Sequence, residues 1–103
     1  MPFTTRIAPY ASRQINNWGL TEPIWMEVLL HLHQTLAVNP QAVLLSPPDF
    51  PKGMLYYFTV QDPIRADFLH EFVFHVIYHA DEQHLDVMRG SYWRHVGGLP
   101  LSQ

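Results

Sequence analysis

Seven histidines and no cysteine make imidazole the most versatile chemical group in this 103-residue chain. Thiolate ligands, thiol nucleophiles and disulfides are excluded with the cysteine. Three of the histidines, His75, His79 and His84, fall close together around the turn residues Ala80-Asp81-Glu82-Gln83. If that stretch is a hairpin, His79 and His84 are cross-strand neighbours with Cβ atoms about 5 Å apart, within reach of one metal ion. His75 lies about 13 Å further along the strand and cannot join them. Two imidazoles with no third donor in reach read first as the polar end of a hairpin and only second as a metal site. His31 and His33 are two apart on an expected helix, point different ways, and form no site.

The elements that must position these side chains run from Met54 to Trp93. Residues 71–79 and 84–89 read as two strands of the hairpin, with a third, Met54 to Val60, alongside. Pairing Tyr78 with Leu85 sets Val76 against Val87 and Phe74 against Arg89. One face then carries Phe72, Phe74, Val76, Tyr78, Leu85 and Val87, which is a core pattern. The other carries Val73, His75, Ile77, His79, His84, Asp86 and Met88. Strand side chains alternate, so a single register assigns both faces at once. In this register Arg89 falls on the core side; at a strand end it either snorkels to water or is turned outward by a bulge near Gly90.

With 48% hydrophobic and 15% charged residues, the chain is expected to be globular, one domain over residues 1–96. The residues after Trp93, with Gly97-Gly98 and Pro100, are expected to leave the sheet, and 97–103 to form a loose tail. No signal peptide and no apolar run of the ~20 residues a membrane span needs can be read, so the expectation is a cytoplasmic protein with no membrane association and no cofactor. The formal charge is −3, from six Lys/Arg and nine Asp/Glu. That is a thin footprint for phosphate recognition.

In chain order, residues 3–7 suggest an edge strand stopped by Pro9. Ala11 to Trp18 has helical spacing and ends at Gly19. Thr21 is a suitable N-cap for a second helix reaching about Val38, with Pro23 in its first turn. Its apolar stripe is expected from Trp25, Val28, Leu29, Leu32 and Leu36, with Glu27, His31 and Gln34 outside. Residues 41–45 fit either a helical turn or extended chain. Ser46 to Gly53 and Asp62 to Asp67 read as loops. The fold class is therefore α+β, in the order β-α-α-β-β-β, with a helical hairpin on one face of a small, mostly antiparallel sheet and the other face open.

With those elements in place, the chain resembles the RelE/ParE superfamily of small toxins from toxin–antitoxin pairs. The resemblance rests on a first strand ending in Ala8-Pro9, a helical hairpin closing on Val38-Asn39-Pro40, and the run His75-Val-Ile-Tyr78. An acidic turn (Asp81-Glu82) and Leu85-x-Val87 follow that run. It implies either a ribosome-dependent endoribonuclease that cuts messenger RNA or a protein acting on DNA gyrase, held inactive by an antitoxin. Carried over residue by residue, the family's strand arginine falls on His75 and the lysines of some ribonucleases fall on Tyr57 and Thr59. The basic end of the last strand is kept as Arg89, and the aromatic that follows it is matched by Tyr92. Arg65 is a further candidate phosphate contact. On this resemblance His75 would be the base or acid, Arg89 and Arg65 would stabilise phosphorane charge, and Tyr92 would stack on a base or position the phosphate.

The open face, with Tyr57, Val73, Ile77 and Met88, would be a sizeable apolar patch, and such patches usually meet another chain. The occupant is either an antitoxin or a second copy, as in a homodimer. The alternative to a toxin is a non-enzymatic interaction module of the same fold.

Overall fold

The computed structural model describes residues 3–45, 54–79 and 81–96. The proline-rich loop and the tail expected from the sequence lie outside them. Strand β1 (Thr4–Ile7) leads into α1 (Pro9–Asn17), then α2 (Glu22–Leu30), a π-helical turn (His31–Thr35), α3 (Leu36–Val38) and α4 (Pro40–Val43). Four more strands follow: β2 (Leu44–Leu45), β3 (Met54–Gln61), β4 (Phe68–His79) and β5 (His84–Val96). They form one sheet in the order β1-β5-β4-β3-β2. The pair β1–β5 is parallel and every other pair is antiparallel. This is the expected α+β arrangement, with a two-residue β2 added at the far edge. β5 does not stop at Trp93 but continues to Val96, pairing with Phe68. Among the described residues no helix is long and apolar enough to cross a membrane.

The helices cover one face because each presents a narrow apolar stripe. Pro9 opens α1, where its missing N–H costs nothing. Gly19, at φ 66°, ends the turn after it in the left-handed region that favours glycine. Thr21 occupies the cap position of α2, but its hydroxyl makes no capping bond.

The buried stripe beyond it is Ile24, Val28, Leu32 and Leu36, and Trp25 is 37% exposed, which corrects the expected stripe by one residue at its start. The π turn supplies the reason. Strict four-residue spacing drifts around an α-helix, whereas one wider i→i+5 turn winds the stripe back over the sheet. It also rotates His31 inward, against the expectation that it faces out. The ring stacks on Phe58 at 3.9 Å, and its Nδ1 lies 2.8 Å from the Tyr56 hydroxyl. Burial lowers the His31 pKa, the nearby Glu27 opposing, and pushes Tyr56 up to about 12, so the phenol is the donor of that bond.

The core on the sheet side is the expected one: Phe72, Phe74, Val76, Leu85 and Val87 are fully buried, and Tyr78 is partly so. The hairpin register holds near its turn, with Tyr78↔Leu85 and Val76↔Val87. It shifts at a bulge between His75 and Val76, where Met88 is the additional residue on β5. Beyond it, Arg89 opposes His75 and Gly90 opposes Phe74, correcting the expected Phe74–Arg89 pair. The bulge resolves the parity conflict of a charged residue on the core face, replacing arginine there with a glycine. A Cβ at Gly90 would sit 2.6 Å from Phe74 ring atoms, so only glycine fits under that ring. β1 ends beside Val87, and past it Gln14 of α1 takes over the strand edge, its Oε1 accepting from the Gly90 N–H at 2.7 Å.

Candidate functional site

A cavity of about 450 Å³ opens at the start of β4 and the end of β5, beside the α1–α2 turn. Its wall is built by the β3–β4 loop. Asp62 follows the last residue of β3, and its Oδ1 accepts from the backbone N–H groups of Ile64 and Arg65, each at 2.9 Å. Such side-chain-to-backbone bonds are how aspartate closes a turn. The loop is tied further by the Gln61 amide, which donates to the carbonyls of Ala66 and Phe68.

This fixes the second carboxylate oxygen. Asp62 Oδ2 stands 2.9 Å from His70 Nε2, and His70 Nδ1 stands 2.7 Å from the Tyr92 hydroxyl. His70 is only 5% exposed, so both ring nitrogens are satisfied inside the protein. A carboxylate accepts, so Nε2 carries a proton toward Asp62; in the neutral ring Nδ1 is then an acceptor and Tyr92 donates to it. The result is a carboxylate–imidazole–phenol chain, all three members of which line the cavity. The Asp62 carboxyl is held down at about 2, chiefly by the Arg65 N–H, then by His70 and the Ile64 N–H. Burial raises the Tyr92 phenol, with Asp62 adding to that and Arg94 opposing it. At neutral pH the chain therefore has an anion at one end and a proton at the other. Arg65 and Arg94 both reach the Phe68 ring, at 4.3 and 5.2 Å, and line the same cavity.

Of the residues singled out in the sequence, Tyr92 and Arg65 line this cavity, whereas His75 and Arg89 pair across β4 and β5 on the open face. The four do not form one site. His75 and Arg89 border a depression of about 260 Å³ with Tyr10, Gln14, Leu55 and Ser91. The His75 pKa is lowered, first by burial and then by the Arg89 charge, both of which disfavour the charged ring. Further along, Glu71 accepts from the Tyr57 hydroxyl at 2.6 Å and lies 2.8 Å from His95 Nε2. Tyr57 (46% exposed) and Trp93 (48%) stand out from this face, and Met88 is exposed at the bulge. His79 and His84 form the terminal hairpin pair, as expected, with rings 4.2 Å apart.

Asp62, His70 and Arg94 were not singled out in the sequence. His70 did leave a signal, because extending the 72-74-76 alternation back by two places it on the core face, where a histidine needs partners.

No family model matches the sequence, and no curated protein matches it. The structure does have a match. A chain of the toxin–antitoxin complex RelBE2 from Mycobacterium tuberculosis superposes with a TM-score of 0.68, at 13% identity, over 90% of this chain and 100% of that one. The two chains share one fold. At that identity the likeness establishes the fold and leaves the chemistry to the residues.

Proposed function

We propose that this chain is the toxin member of a toxin–antitoxin pair and cleaves RNA phosphodiesters at the cavity walled by Asp62, His70 and Tyr92. The observation that carries the reading is the hydrogen-bonded chain ending at a cavity lined by two guanidinium groups. Its size is within the usual range of ligand pockets.

Attack by the RNA's own 2′-hydroxyl needs a proton acceptor and positive charge around the phosphorane. Tyr92 takes the 2′-hydroxyl proton as it passes its own to His70 Nδ1. The imidazolium so formed is stabilised by Asp62, which stays ionised across the physiological range. Arg65 and Arg94 bind the phosphate, and the same route returns a proton once the 5′-oxygen has left. The open face, partly apolar, is the surface for the antitoxin; His75 and Arg89 belong to it. The exposed Tyr57, Met88 and Trp93 favour a second reading, a non-enzymatic module that self-associates or holds a partner through that face.

Tightly controlled expression in bacteria separates these. The native chain is expected to arrest growth, Tyr92→Phe combined with Arg94→Ala to relieve the arrest, and His75→Ala with Arg89→Ala to keep it. Relief by the second pair alone would move the chemistry to the open face. Unaffected growth with folded native protein would leave the binding module.

A further inference from the structure

The end of the β4–β5 hairpin gathers more than the two histidines that the sequence placed there. Gln83 adopts φ 53° at the turn, and beside it the Glu82 carboxylate comes 3.2 Å from His84 Nδ1. The His79 ring stacks on His84, and Asp86 Oδ2 lies 3.0 Å from His79 Nε2 and 3.4 Å from His84 Nε2. His79, Glu82 and His84 each offer one ligand atom, and these atoms lie within 4.8 Å of one another.

We propose that these three residues form a binding site for a divalent transition-metal ion. Around a tetrahedral zinc, donors at 2.0–2.2 Å stand roughly 3.3–3.6 Å apart, so the set closes on an ion by movements on the order of 1 Å. Side-chain rotation supplies that, because Glu82 is exposed and His79 only partly buried. Two imidazole nitrogens and one carboxylate oxygen suit zinc, nickel or cobalt and not magnesium or calcium, which take oxygen donors. Three protein ligands leave a fourth position for water or a partner's side chain. Asp86, behind the histidines, is placed as the outer carboxylate that orients ligating imidazoles.

One cation already faces the cluster. Arg6 of β1 lies 3.3 Å from Asp86 Oδ1 and is hydrogen-bonded to His84 Nε2. Its bond to His84 Nε2 holds the proton of the neutral ring on Nδ1, the nitrogen that faces Glu82 and that an ion would need, which yields a discriminating variant. The cluster lies about 30 Å along β4 from His70 at the usual strand rise, so it stands or falls independently of the cavity.

The test is calorimetric titration of the untagged, chelator-treated full chain with zinc and nickel chloride, with thermal melts in parallel. One ion per chain is expected to bind and to raise the melting temperature, as any native-state ligand does. His79→Ala and His84→Ala are each expected to weaken binding at least tenfold, and Glu82→Gln several-fold. Arg6→Gln is expected to tighten it, and His33→Ala, exposed on the helix, to leave it unchanged. Circular dichroism checks each variant's fold, and Glu82→Gln, at an exposed position, decides the matter if a histidine variant misfolds. No heat with either metal, or binding that survives both histidine variants, would overturn the proposal.

Discussion

Replacing Tyr92 by phenylalanine deletes one oxygen and leaves its ring contacts in place. The ring packs 5.0 Å from Phe72 and 5.5 Å from Trp18, contacts that phenylalanine also makes. What is lost is the 2.7 Å bond to His70 Nδ1, and His70 is nearly fully buried. A buried acceptor left without its donor costs about 1–3 kcal/mol, because its desolvation is no longer offset. For a domain near 100 residues each kcal/mol moves the midpoint by about 4–8 °C, so the melting temperature should fall by roughly 4–24 °C. Thermal melts and urea denaturation at pH 7 measure this, and the urea slope should not change, since the exposed surface is the same. In the same variant RNA cleavage should fall about 10²-fold or more, the usual worth of a positioned proton donor or acceptor. A variant within 1 °C of the native melting temperature would contradict a buried Tyr92–His70 hydrogen bond. The phenol would then not be bonded to His70, and no proton route would join Tyr92 to the imidazole.

Three further outcomes follow from the same structure. Gly90→Ala should destabilise by about 1–3 kcal/mol in urea titration, because the new methyl overlaps the Phe74 ring under which Gly90 sits; no change would mean that ring is not where the core requires it. Gln83→Gly should stabilise by about 0.5–1 kcal/mol, since Gln83 holds a left-handed φ that glycine adopts freely. The Asp62 carboxyl is depressed in the fold, so its contribution is present above the unfolded value of about 3.9 and is lost as pH falls through about 2. The urea midpoint of the native chain should therefore drop over that acid window, and Asp62→Asn should flatten the drop; an identical acid profile would show that the turn and His70 do not hold the carboxylate.

The parts legible in the sequence were those set by local periodicity. The alternation from Phe72 to Tyr78 gave the core face, and the acidic turn gave the register at Tyr78↔Leu85 and Val76↔Val87. The π turn is invisible to a 3.6-residue template, which is why Trp25 was placed inside and His31 outside. The bulge at Met88 is one of the two outcomes that the parity of Arg89 leaves open, and the space under Phe74, which no single strand displays, decides between them. The cavity joins Asp62 on a loop, His70 on β4 and Tyr92 on β5, and their meeting depends on how β5 pairs beyond the bulge. Only the core parity of His70 hinted at it. β2, with two residues, is too short for any periodic signal.

In the proposed function the Asp62–His70–Tyr92 chain moves protons for RNA cleavage. The most direct measurement incubates the purified chain with translating ribosomes and a defined messenger RNA, then maps the new RNA ends. The account predicts 2′,3′-cyclic phosphate and 5′-hydroxyl ends from the native chain, strongly reduced by Tyr92→Phe and by Asp62→Asn and retained by His75→Ala. Intact RNA, or cleavage that both cavity variants leave undiminished, would contradict it.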